Sequence, residues 1–189
     1  MGEGRMAKRA NKQQRLAVLI DAENVSHTLI PAILLRCACY GTLQVKRAFA
    51  DWSRPDMRNF RNVLNRNAIE AVHLVSYARG KNAADIALCL NAMELVHTGQ
   101  FDAVCLVSSD SDFTPLAFTL RRAGVRVYGF GGRQTPRAFV AACSNFIYTE
   151  SVGEGVPTCA RSGSAGGARD AVVISSPGGS TDCSLRSMA

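Results

Sequence analysis

The chain has 189 residues, 47% of them hydrophobic and 20% charged, with a formal net charge of +7, the profile of one globular domain with tails. No apolar run approaches the ~18–20 residues of a membrane span, and the basic stretch ending at Arg15 leads into a short strand, not into the long apolar segment of a secretory signal. Seven cysteines, an odd number with no CxxC pair, speak against a disulfide framework or a zinc site and for free thiols in the reducing cytoplasm.

The charge is uneven. Residues 1–15 hold five Lys/Arg and one Glu, which predicts a basic flexible arm over 1–14 suited to an anionic partner, nucleic acid above all. Leu16 to Ile20 is an unbroken apolar run, as expected of a strand covered on both faces, and it ends in Asp21. A helix follows Asn24, with Leu29, Ile33 and Leu34 at helical spacing and Gly41 beyond its end. Gln44 to Ala50 reads as a second strand. Pro55 and Asp56 open an Arg/Asn-rich helix to about Asn67, apolar at Met57, Phe60, Val63 and Leu64.

Ala71 to Val75 predicts a third strand, and Lys81 to His97 a helix whose core face is Ile86, Leu88, Leu90, Met93 and Leu95, closed by Gly99. Ala103 to Val107 is a fourth strand, again apolar throughout. Asp112 to Ala123 is a helix stopped by Gly124, Val125 to Phe130 a fifth strand, Pro136 the start of a last helix, and Phe146 to Tyr148 a short edge strand. Residues 151–189 hold a Gly/Ser-rich tail, which cannot bury enough surface to offset its chain entropy and is expected to be disordered. The alternation of strand and helix over 15–150 predicts an α/β fold, a three-layer α-β-α sandwich around a mostly parallel sheet of five or six strands.

Ligands of open α/β sheets collect beyond the carboxyl ends of the strands, where the strand order reverses. Asp21 ends the first strand, and Asp110 and Asp112 follow the fourth; if these strands are neighbours, the three aspartates meet there. Asp85, in the first turn of the helix after the third strand, can face the same crevice, its ionised form favoured by the helix dipole. Carboxylates crowded together raise one another's pKa, and a cation removes the conflict. An all-oxygen set suits Mg²⁺ or Mn²⁺, ions that promote phosphodiester hydrolysis.

Each residue also has a plainer reading. Asp112 could be a helix N-cap, and Asp85 a residue favoured only by the dipole; Asp21, at the end of a buried strand, is harder to explain without a ligand. Arg79 and Lys81, ahead of the Asp85 helix, could meet a phosphate or lie in a solvated loop. Arg58, Arg61 and Arg66 with Trp52 could flank a nucleic-acid strand by charge and stacking, and Gly129 to Arg133 could cradle a phosphate. His27, His73 and His97 are scattered and suggest no catalytic base.

The segments Val18-Leu19-Ile20-Asp21-Ala22-Glu23-Asn24, Lys81-Asn82-Ala83-Ala84-Asp85-Ile86-Ala87-Leu88 and Val107-Ser108-Ser109-Asp110-Ser111-Asp112-Phe113, in that order, resemble the NYN-domain family. Val127 to Gly131 followed by Thr135-Pro136 is similar to its LabA-like branch. The resemblance spans about residues 15–150 and implies a PIN-like nuclease fold acting on RNA with a divalent metal. Carried over by motif position, it implies Asp21, Asp85, Asp110 and Asp112 as metal-site carboxylates. Asn24 would orient substrate or water, and Ser108 or Ser109 would support the site.

The expected activity is that of a Mg²⁺- or Mn²⁺-dependent endoribonuclease on single-stranded RNA. Many relatives carry additional RNA-binding domains absent from this tail, so substrate selection falls to the basic arm, the domain surface, a homo-oligomer or a protein partner. Two rivals stand beside this reading. A non-catalytic RNA-binding module would keep the fold, although four carboxylates near phosphates disfavour it. A haloacid-dehalogenase-like phosphatase would use Asp110-Ser111-Asp112-Phe113-Thr114 as its D-x-D-x-T motif, but no acid follows between Asp112 and Glu150 to complete its metal site.

Overall fold

The two unbroken apolar runs become the centre of the sheet, because only a strand shielded on both faces can be apolar at every position. A computed structural model describes residues 13–73 and 83–152. Its strands are β1 (Arg15–Asp21), β2 (Thr42–Ala50), β3 (Glu70–His73), β4 (Ala103–Val107), β5 (Arg126–Gly131) and β6 (Asn145–Tyr148). They form one sheet in the order β3-β2-β1-β4-β5-β6, every neighbouring pair parallel. The chain winds outward from β1 to β3, then returns to place β4 on the other side of β1. The order therefore reverses between β1 and β4, which meets the condition under which Asp21, Asp110 and Asp112 share one edge.

The helices are α1 (Ile30–Ala38), α2 (Arg58–Asn67), α3 (Ala83–His97), α4 (Thr114–Arg122) and α5 (Arg137–Ala142). Side chains alternate along β1, so Leu16, Val18 and Ile20 join the core under α1 and α2, whereas Ala17 and Leu19 join the one under α3, α4 and α5. Phe49, Phe113 and Phe139 fill the second core and Phe130 the first; fully burying a side chain of this kind contributes roughly 1.5–3 kcal/mol. Gly99 and Gly124 end α3 and α4 with φ of +61° and +83°, the left-handed conformation that glycine adopts without a Cβ clash.

The structure corrects several expectations. Ile86 and Leu90 do not belong to the core face of α3; they are 60% and 66% exposed, and the buried stripe is Ala84, Leu88, Ala92 and Leu95. That helix is apolar on nearly every side, so periodicity could not select the inner one. Gln14 belongs to the domain and not to the arm, since its carbonyl accepts from Thr42 N–H at 2.8 Å and its side chain from the Tyr128 hydroxyl at 3.1 Å. At the other end Val152 is buried with the core under α1 and α2. Residues 1–12 and 153–189 of the arm and tail, Leu74 and Val75 of the predicted third strand, and Arg79 and Lys81 lie outside the described residues.

Candidate metal and phosphate site

β1 delivers Asp21 to the carboxyl edge of the sheet on the side of Ala17 and Leu19, the side covered by α3. Asp85, in the first turn of α3, approaches from above. The chain leaving β4 supplies Ser108 to Asp112, so three separate segments converge at the reversal of strand order.

Asp21 is 1% exposed. One of its oxygens, Oδ2, accepts from Asn24 Nδ2 and from Ser108 Oγ, each at 2.7 Å. The other, Oδ1, is buried and has no hydrogen-bond partner among the described residues. Burial pushes the Asp21 pKa up, and the hydrogen bonds from Asn24 and Ser108 only partly oppose it.

Ser108 both donates to Asp21 and accepts from Asp110 N–H at 3.0 Å, so one hydroxyl fixes the position of two site aspartates. Asp110 in turn caps the 3₁₀ turn Ser111–Phe113, its Oδ1 accepting from Asp112 N–H at 2.9 Å. The capping role considered for Asp112 thus falls to Asp110, and Asp112 is left exposed. Ser109 accepts from Gly132 N–H at 2.9 Å and ties the end of β5 to the end of β4.

Asp85 reports how close these acids are. Burial first, then the negative charges of Asp21, Asp110, Glu23 and Asp112, push its pKa up to about 6. Glu23 is the acid that the sequence reading left out. It is anchored by accepting from Asp51 N–H at 3.2 Å and pairs with Arg54 at 3.5 Å, which holds the loop after β1 against the loop after β2. Its place directly beyond Asp21 was the available signal.

Other candidates fall away. Trp52 is 8% exposed, its indole N–H donates to Val72 O at 2.8 Å, and its ring packs edge-on to Phe60, so it offers no face for stacking a base. Arg61 donates to the Trp52 carbonyl at 3.1 Å. The glycines of β5 do not cradle a phosphate either: Gly132 N–H is taken by Ser109, Arg133 N–H by Glu150 and Thr135 N–H by Gly132 O. A Cβ on Gly131 would lie 2.7 Å from the Ser108 carbonyl oxygen, so glycine there serves the close approach of β5 to the Ser108 turn.

Among the described residues no three of His, Cys, Asp and Glu stand close enough together to hold one ion. Uncompensated carboxylates repel, and Asp85 shows that repulsion at work. The donor set nevertheless fits a hard divalent cation: oxygen only, crowded with like charge, and containing a buried carboxylate oxygen that no described residue satisfies.

The chain belongs to the NYN domain family, whose model matches residues 15–150, and so to the PIN-like nuclease superfamily. A crystal structure of a protein of unknown function from Vibrio parahaemolyticus superposes with a TM-score of 0.60 at 22% identity, covering 74% of this chain and 95% of that one, which shows a shared fold. Curated proteins give no match. No helix among the described residues is long and apolar enough to cross a membrane.

Proposed function

We propose that this chain is a divalent-metal-dependent endoribonuclease that hydrolyses phosphodiester bonds of single-stranded RNA, with Asp21, Asp85, Asp110 and Asp112 holding Mg²⁺ or Mn²⁺. The observation that carries the reading is Asp21 Oδ1, a buried carboxylate oxygen without a partner among the described residues, beside three further aspartates. A buried, unsatisfied charge is costly, and structures keep one where a ligand uses it. The bound cation supplies the Lewis acidity that activates a water and neutralises charge on the leaving oxygen.

The protein's own residues do the positioning. Asn24 and Ser108 hold Asp21 by one oxygen and leave the other free. Ser108 also sets the Asp110 backbone, and the Asp110 cap sets Asp112. Asp85 comes from a different layer of the fold, so the carboxylates surround a reacting phosphate instead of lining one strand. Five free cysteines among the described residues, three of them buried, suit a reducing compartment, the cytoplasm. The family match speaks against the phosphatase reading, whose motif would need acids in the stretch between Asp112 and Glu150, where there are none.

The test is cleavage of a defined single-stranded RNA by the purified chain with Mn²⁺, Mg²⁺ or EDTA. Cleavage with either ion and none in EDTA is expected. Cleavage that persists in EDTA contradicts the metal site, and RNA binding without cleavage under any ion supports the non-catalytic module instead.

A further inference from the structure

Five carboxylates at one edge repel an RNA strand everywhere except at the bound cation, so the phosphates next to the scissile one need cationic support from the protein. The two flanks of the site differ in what they offer. Beyond β2, Arg54 faces three carboxylates, Glu23, Asp51 and Asp56, and is held by Glu23 at 3.5 Å and by Asp56 at 2.7 Å. Beyond β5, Arg133 and Arg137 are both exposed and neither forms an ion pair among the described residues. Among the described residues the acid near them is Glu150, which accepts the backbone N–H of Arg133 at 2.9 Å and is held low in pKa by that bond first and also by the Arg133 charge.

The segment carrying these arginines is fixed against the site. Gly132 N–H donates to Ser109 Oγ, and the Thr135 hydroxyl, buried, donates to Gly132 O at 2.6 Å, closing the turn between β5 and α5. Two residues beyond Arg137, Phe139 packs its ring 6.5 Å from that of Phe113, the last residue of the turn that holds Asp112. Arg133 and Arg137 therefore stand on a rigid ledge joined to the Asp110–Asp112 segment at both ends. With the N–H groups of Gly132, Arg133 and Thr135 already bonded within the protein, the two guanidinium groups are the charged means this turn has of holding an anion, and they match phosphate in geometry as well as charge.

We propose that Arg133 and Arg137 hold the phosphates flanking the scissile bond, so that the RNA strand leaves the carboxylates over the β5 side of the edge. This rests on the ribonuclease reading. The two arginines act as substrate-positioning residues and take no part in the chemical step.

Steady-state cleavage of a single-stranded RNA in Mn²⁺ by the full chain tests it, comparing the parent with Arg133→Ala, Arg137→Ala, the double variant and the double Arg→Lys variant. The double alanine variant is expected to raise KM roughly tenfold with kcat little changed, and each arginine removed should lower the slope of log kcat/KM against log salt by about 0.7. The lysine variant should restore the salt slope and part of the loss in KM, because it returns the charge without the planar guanidinium, and the exposed positions should leave the melting temperature unmoved. A fall in kcat at constant KM, or KM and salt slope both unchanged, overturns the assignment while leaving the ribonuclease reading intact. Absence of cleavage by the parent chain overturns the ribonuclease reading and this assignment with it.

Discussion

Asp110→Asn and Asp112→Asn are each expected to lower Mn²⁺-dependent RNA cleavage by at least about 100-fold while leaving the fold intact. The magnitude follows from metal chemistry: changing the groups that merely orient metal ligands costs roughly 10–100-fold, and a ligand itself costs no less. The preserved fold follows from the geometry of each position. Asp110 accepts the Asp112 N–H through a single oxygen, a role an asparagine carbonyl performs equally well at a cap. Asp112 is exposed, and its side chain makes no hydrogen bond or ion pair among the described residues, so its amide replacement removes charge and nothing else. Activity and melting temperature measured on the same preparations check both statements. Activity within a few-fold of the parent in both variants places the chemistry elsewhere.

The second large effect is on stability against pH, and its sign changes with metal. Asp85 has a folded-state pKa of about 6 against an ordinary value of 3.8, raised by burial and then by Asp21, Asp110, Glu23 and Asp112. Between those two values the folded chain holds a proton that the unfolded chain has lost, so in EDTA this group's contribution to stability falls as pH rises through the window and is flat above it. Asp21 is shifted the same way by its burial and adds to the slope. Asp85→Asn removes the titrating group, so its stability relative to the parent, measured by urea unfolding in EDTA, is expected to increase from pH 4 to pH 7.

Mn²⁺ reverses the dependence because it binds the ionised carboxylates and releases their protons. At a concentration 100 times its dissociation constant, the ion adds about 2.7 kcal/mol to the parent, and Asp85→Asn is expected to lose most of that gain. A relative stability of Asp85→Asn that does not change with pH in EDTA contradicts the crowding of charge described here.

How much of this was legible in the sequence follows from how local each determinant is. Leu16 to Ile20 and Ala103 to Val107 announce central strands because burial on both faces leaves no room for polar residues, and Asp21 and Asp110 stand out as the charges that end those runs. The convergence of their strands was only a condition at the level of sequence, because strand order depends on contacts distant along the chain, and the structure meets it by placing β1 beside β4. The inner side of α3 was not legible: alanines at 84 and 92 pack inward while the larger Ile86 and Leu90 face out, the reverse of a choice made by size. Glu23 was passed over because its anchorage, Asp51 N–H and Arg54, lies on a loop distant in sequence. Trp52 misled for a similar reason, since an aromatic residue among arginines reads as a stacking surface until Val72 and Phe60 are seen to enclose it.

The outward-facing Ile86 and Leu90 sit immediately beyond Asp85 on the same helix, so the apolar surface of α3 and the acidic edge are neighbours. The site's positioning network is by contrast entirely polar and short-range, running from Asn24 through Asp21, Ser108 and Asp110 to Asp112. Its free end is Asp21 Oδ1. A metal-dependent activity depends on what that oxygen meets.

The most direct test is an anomalous difference map from a crystal of this chain soaked in Mn²⁺. A peak within coordination distance of Asp21 Oδ1, shared with Asp85, Asp110 or Asp112, is the predicted result. A map with the ion bound elsewhere, or with no peak at the edge between β1 and β4, would contradict the metal-dependent nuclease.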